Sequence, residues 1–170
     1  MGGGGVASPT DKIEHIQFSD EEIRAIVTVA NNAGTYVTSH AYTPRALQQS
    51  VRATARLMAE KYCFLTPTLV TYATMARFSG FLPPASAKKN EKVLQEGLRA
   101  TTIASQAGVT IRFGTDLLEL LHFAQSHEFG LRSQVQSPLD ILRSATINPA
   151  CMLGQEQFLG QIFPDLPRIF

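Results

Sequence analysis

Ile23, Ile26, Val27 and Ala30 recur at the three- and four-residue spacing of a helix with one apolar face. Ser19 followed by Glu22 opens that helix as a capping box, hydroxyl and carboxylate each satisfying a backbone N–H left free in the first turn. Gly34 closes it, because glycine tolerates the left-handed geometry of a helix end. Thr35–Ser39 is short and β-branched and predicts a strand. Pro44 starts the next helix, which Leu47, Val51, Leu57 and Met58 carry to about Lys61. Tyr62–Thr66 predicts a second strand, ended by Pro67. A helix follows over Thr68–Ser79, then a loop over Phe81–Pro84. Ser86 caps a long helix carrying Val93, Leu94, Leu98 and Ile103, closed by Gly108. Val109–Phe113 is the third predicted strand. Ser137-Pro138-Leu139-Asp140 combines the cap, the first-position proline and the first-turn acid of another helix start.

Strands separated by helices of this length predict βα units and a parallel sheet, an α/β fold in a single domain over residues 1–170. In such sheets the chemistry gathers beyond the carboxyl ends of the strands. Thr38-Ser39-His40 and Gly114-Thr115-Asp116 fall there, each ending a strand in one metal-capable side chain. A closed barrel of eight βα units takes about 250 residues. A chain of 170 residues with three clear strands therefore predicts an incomplete one.

Composition narrows the function classes. Apolar residues make up 44%, charged residues 17%, and the formal net charge is +1 with the basic residues scattered. That excludes the electrostatic footprint of a nucleic-acid or anionic-lipid binder. No apolar run approaches a membrane span. Met1–Gly5 has neither the charged nor the apolar region of a secretory signal, and two cysteines make no disulfide framework, so a cytoplasmic location is expected. The glycine run at residues 2–5 is not followed by Gly-Lys-Ser/Thr, which argues against a phosphate loop and for a floppy N-terminus. His15 has no evident partner, and Cys63 reads as a small core residue within its strand. His122 and His127 are five apart, do not share a helical face, and read as solvated or rim residues. No serine has the Gly-x-Ser-x-Gly context of a nucleophile elbow.

Several of these stretches carry a resemblance. Gly2–Asp11, Tyr36–Pro44, Leu57–Lys61, Pro67–Tyr72 and Phe113–Leu118 are similar, in order, to stretches of the amidohydrolase superfamily. So are His122 with Gln125, Glu128 and Phe129, and Leu142–Thr146. The branch resembled holds dipeptidase-like and carboxypeptidase-like enzymes, ochratoxinase among them. The resemblance implies a (β/α)8 TIM barrel of which this chain is a truncated C-terminal half lacking strand 6. It implies divalent metals, zinc for preference, and hydrolysis of the amide bond of N-acyl amino acids or dipeptides. Family ligands are a His-x-His on strand 1, a carboxylated lysine on strand 4, a histidine on each of strands 5 and 6, and an aspartate on strand 8. By resemblance His40 is the strand-5 metal ligand. Asp116 is the strand-8 ligand and the catalytic proton carrier. Tyr42, His122 and Gln125 line the substrate mouth.

The departures carry expectations of their own. The chain has no His-x-His, and Gln49-Ser50-Val51-Arg52 runs straight into Ala53-Thr54-Ala55-Arg56 where a strand-6 histidine would stand. In the family scheme His40 and Asp116 serve different metals, so each metal would keep one protein ligand here. A catalytic zinc site uses about three, so this chain is expected to hold zinc weakly. Three readings stay open: a hydrolase acting on a small-molecule or dipeptide substrate, a catalytically inactive remnant that self-associates or docks on a full-length homologue, and a splice form or faulty gene model.

Overall fold

The computed structural model describes residues 1–50, 63–78, 80–162 and 164. The chain gathers into two compact units, Met1–Lys61 with Leu82–Asn90, and Tyr62–Phe81 with Glu91–Phe170. The elements are α1 (Asp20–Asn32), α2 (helical over 44–50), β1 (Phe64–Leu65), α3 (Leu69–Arg77), α4 (Pro84–Gln106), β2 (Thr110–Ile111), a 3-10 helix (Glu119–Ala124), α5 (His127–Arg132), α6 (Pro138–Ala145) and α7 (Ile147–Met152). No helix among the described residues is long and apolar enough to cross a membrane.

In the first unit the expected capping box forms. Ser19 N donates to Glu22 Oε2 at 2.7 Å, and Glu22 N to Ser19 Oγ at 3.3 Å. The apolar face of α1 buries Ile23 and Val27 against each other. Gln49 Nε2 ties α2 to α1 by donating to Phe18 O at 2.8 Å and Asp20 Oδ1 at 3.0 Å. The continuation of α2 expected to about Lys61 lies outside the described residues from 51 on.

The glycine run is packed rather than floppy. Gly3 pairs with Ile16 in an antiparallel bridge, Gly2 N donates to His40 O at 2.8 Å, and Gly4 N to His15 O at 3.0 Å. A Cβ on Gly4 would run into the carbonyl of Lys12, so only glycine lets the two backbones approach this closely. His15 also has a partner, since its Nδ1 accepts from Lys12 N at 3.3 Å. Lys89 Nζ, from the start of α4, donates to Ser8 O at 2.9 Å and to Asp11 O, fixing the loop that follows the glycines.

The strand expected over Thr35–Ser39 does not form. Residues 35–40 carry no regular structure and are exposed, and among the described residues no strand runs beside them. β-branched residues favour a pleated surface only where neighbouring strands supply packing and hydrogen bonds.

The second unit holds the sheet, two parallel strands with Phe64 opposite Thr110 and Leu65 opposite Ile111. Both are shorter than the predicted Tyr62–Thr66 and Val109–Phe113, and Cys63 is exposed instead of buried. Arg112 N donates to Leu65 O at 2.9 Å. The far side of β2 is also satisfied: Asn148 Nδ2 donates to Ile111 O at 2.6 Å, and Phe113 N to Ser144 O at 2.7 Å. Buried or half-buried backbone groups need such partners. The start of α4 falls two residues before the expected cap at Ser86, with Pro84 at its first position. At α6 the signals are met as read, with Pro138 in the first turn and Ser137 Oγ accepting from Asp140 N at 3.2 Å.

Candidate active site

Because β1 and β2 are parallel, their carboxyl ends lie side by side and feed two loops, Thr66–Thr68 and Phe113–Asp116. Gly114 is where the loops meet. A Cβ there would collide with Thr66 Cγ2 and lie 3.5 Å from Thr68 Cγ2. Arg112 Nε donates to Thr66 Oγ1 at 2.5 Å, and Phe113 stacks on Phe129 with ring centroids 4.5 Å apart. Thr68 and Asp116 are the two described non-glycine residues with positive φ, at 49° and 48°. Left-handed backbone is costly for a side chain and concentrates at functional turns. Asp116 itself is exposed.

Leu117 enters a buried cluster with Val70, Leu121 and Ala124. His122, on the 3-10 helix, donates from Nε2 to Leu117 O at 2.8 Å. A carbonyl can only accept, so neutral His122 carries its proton on Nε2 and leaves Nδ1 as an acceptor. Gln125 caps that helix, its N–H reaching His122 O at 3.2 Å, and its side chain is exposed. Asp116, His122 and Gln125 thus lie along one segment of the second unit. His40 and Tyr42 belong to the other compact unit, where His40 is exposed and Tyr42 half-buried. The expectation that His40 and Asp116 end strands of one sheet fails at His40, because residues 35–39 form no strand.

Sequence reasoning assigned no role to Glu128 and Arg132. Both are 0% exposed, four residues apart on α5. Glu128 Oε2 accepts from Val70 N at 2.7 Å, capping α3, whose own first-turn neighbour Thr68 supplies no side-chain cap. Arg132 Nε donates to Gln136 Oε1 at 2.8 Å, and Nη1 reaches Arg112 O at 3.5 Å. Burial pushes the Glu128 carboxyl above the usual carboxylate range; the Val70 and Leu69 N–H groups and the Arg132 charge pull the other way. Burial lowers Arg132, and Glu128 opposes it. Nothing in the sequence signalled this pair, since an i, i+4 acid and base on a short helix read equally well as a surface ion pair.

The sequence profile of the amidohydrolase family matches residues 1–164. The chain belongs to that family. The amidohydrolase chain is 27% identical to ochratoxinase of Aspergillus niger over 95% of its own length and 37% of the relative's. The A. niger ochratoxinase crystal structure superposes with a TM-score of 0.75 at 25% identity, covering 94% of this chain and 40% of that one. A prolidase complexed with N-methylphosphonate-L-proline is similar at 41% identity and a TM-score of 0.88, over 97% of this chain and 44% of that one. A Xaa-Pro dipeptidase with bound methionine in its active site is similar at 26% identity and a TM-score of 0.82, over 98% and 46%. The chain therefore spans less than half the length of each of these relatives.

Amidohydrolases as a family use divalent metals, and the donors described here do not make a metal set by themselves. Among the described residues no group of three or more His, Cys, Asp or Glu side chains is placed to hold an ion. His40 and Asp116 fall in separate compact units, and a catalytic zinc takes about three protein ligands.

Proposed function

We propose that this chain supplies the carboxyl-terminal share of an amidohydrolase active site whose reaction is hydrolysis of the amide bond of an N-acyl amino acid or dipeptide. One observation carries the reading: Asp116 stands exposed and left-handed at the mouth of β2, beside the exit of β1, in a chain of this family. Its carboxylate takes a proton from the attacking water and delivers it to the leaving nitrogen. His122 and Gln125 line the substrate mouth beside it, and His122 Nδ1 offers an acceptor. His40 is read as a metal ligand and Tyr42 as a substrate-mouth residue, both by family likeness. Family metals supply Lewis acidity and an acidified water. The proline derivative and methionine bound to the relatives support a small substrate with a free carboxylate.

A second reading is favoured by a specific observation, the lack of a three-donor metal set among the described residues. In it the chain is a catalytically inactive remnant, or a partner of a full-length homologue. One assay separates the two. The purified chain and Asp116→Asn are offered N-acyl amino acids, with and without added zinc or cobalt. Turnover by the wild type that disappears in Asp116→Asn, with the fold retained, bears out the hydrolase. No turnover under any metal condition overturns it for this polypeptide and leaves the second reading.

A further inference from the structure

We propose that Glu128 is the positioning residue of the Asp116 loop, holding both shoulders of that aspartate through the amino end of α3. This deepens the reading of the β1 and β2 exits as an active site and rests on it.

Glu128 Oε2 accepts the Val70 N–H at 2.7 Å, and the Leu69 N–H also turns to the carboxylate. Four N–H groups open every helix without a partner. At α3 the residue just before the helix cannot help, because Thr68 is left-handed and its side chain makes no cap. A carboxylate 58 residues further on takes that place. It is favoured there by the partial positive charge of the helix end.

From this anchor two contacts lead to Asp116. At Gly114, two residues before it, Thr66 Cγ2 leaves no room for a Cβ, and Thr68 Cγ2 lies in ordinary van der Waals reach of the same position. Val70, whose amide Glu128 holds, shares the buried cluster of Leu117, the residue immediately after it. Fixing Thr68 and Val70 therefore fixes the backbone on both sides of a left-handed aspartate, a conformation that persists only where its surroundings over-determine it. Glu128 is wholly buried, and Arg132, wholly buried four residues on, supplies the nearby opposite charge.

Amide resonances of the full chain read this directly. Glu128→Gln keeps an oxygen at the same reach, whereas Glu128→Asp draws it back by one methylene. Glu128→Asp is expected to shift the amides of Thr68, Gly114, Asp116 and Leu117 while leaving Ile23 and Val27 in place. Glu128→Gln is expected to leave all six near their wild-type positions. The proposal is overturned if Glu128→Asp leaves Gly114, Asp116 and Leu117 unmoved, if it shifts the whole spectrum alike, or if Glu128→Gln displaces the loop as far as Glu128→Asp does. The readout needs no turnover. A chain without amide hydrolysis defeats the proposed function and leaves this result to stand or fall separately.

Discussion

Asp116 and Glu128 make opposite demands at the residue scale. Asp116 is exposed and left-handed; Glu128 is wholly buried and costly in solvation. Asparagine tolerates left-handed backbone about as well as aspartate does. Asp116→Asn should therefore change stability by no more than about 0.5 kcal/mol, checked by chemical denaturation, even where it removes function. Glu128→Ala should cost about 1–3 kcal/mol, since it leaves the Val70 N–H buried without its acceptor. The pH dependence has a definite sign. A carboxyl raised by burial binds its proton more tightly folded than unfolded. Its stabilising contribution is full below the ordinary carboxylate range and is lost as pH rises through the raised folded-state value. Glu128→Gln cannot ionise. Its stability relative to wild type should rise from acid toward neutral pH in denaturation series, and a difference that stays constant with pH would contradict the assignment. The Asp116 position was legible, because a Gly-Thr-Asp turn after an apolar run points to a strand mouth. Glu128 was not, because the Val70 N–H it accepts lies 58 residues away in the chain.

At the scale of elements, local signals were read well where they act locally. The Ser19–Glu22 box and the Ser137-Pro138 start both formed, since a cap is closed within four residues. Ser19→Ala should lower stability by about 1 kcal/mol in thermal or denaturant unfolding. Gly34 and Gly108 end α1 and α4 with φ of 66° and 75°. The failures were non-local. Residues 35–39 have strand-forming side chains and, among the described residues, no strand beside them. The glycines near the N-terminus looked floppy, yet they are held by Ile16, His15 and His40. Gly4→Ala puts a methyl group into the Lys12 carbonyl and should destabilise the chain by about 1–3 kcal/mol, an overpacking cost. A melting temperature unchanged by Gly4→Ala would return the run to a floppy tail.

The whole molecule joins an amidohydrolase family sequence to a chain less than half as long as its relatives. The proposed ligands His40 and Asp116 lie in different compact units. After dialysis the chain should retain zinc well below one equivalent by elemental analysis, because neither residue belongs to a three-donor group among those described. One or two tightly held ions per chain would show that donors outside the described residues complete a site.

Legible from the residues alone were the α/β class, the helix starts, the parallel relation of the strands near residues 64 and 110, the family, and Asp116 just past a strand. These follow from periodicity, capping and motif order, all written over short stretches of chain. The packing of the glycine run, the lack of a strand at 35–39 among the described residues and the capping of α3 by Glu128 are properties of the folded chain. Each depends on a backbone group meeting a partner distant in sequence, and no local pattern encodes which partner arrives.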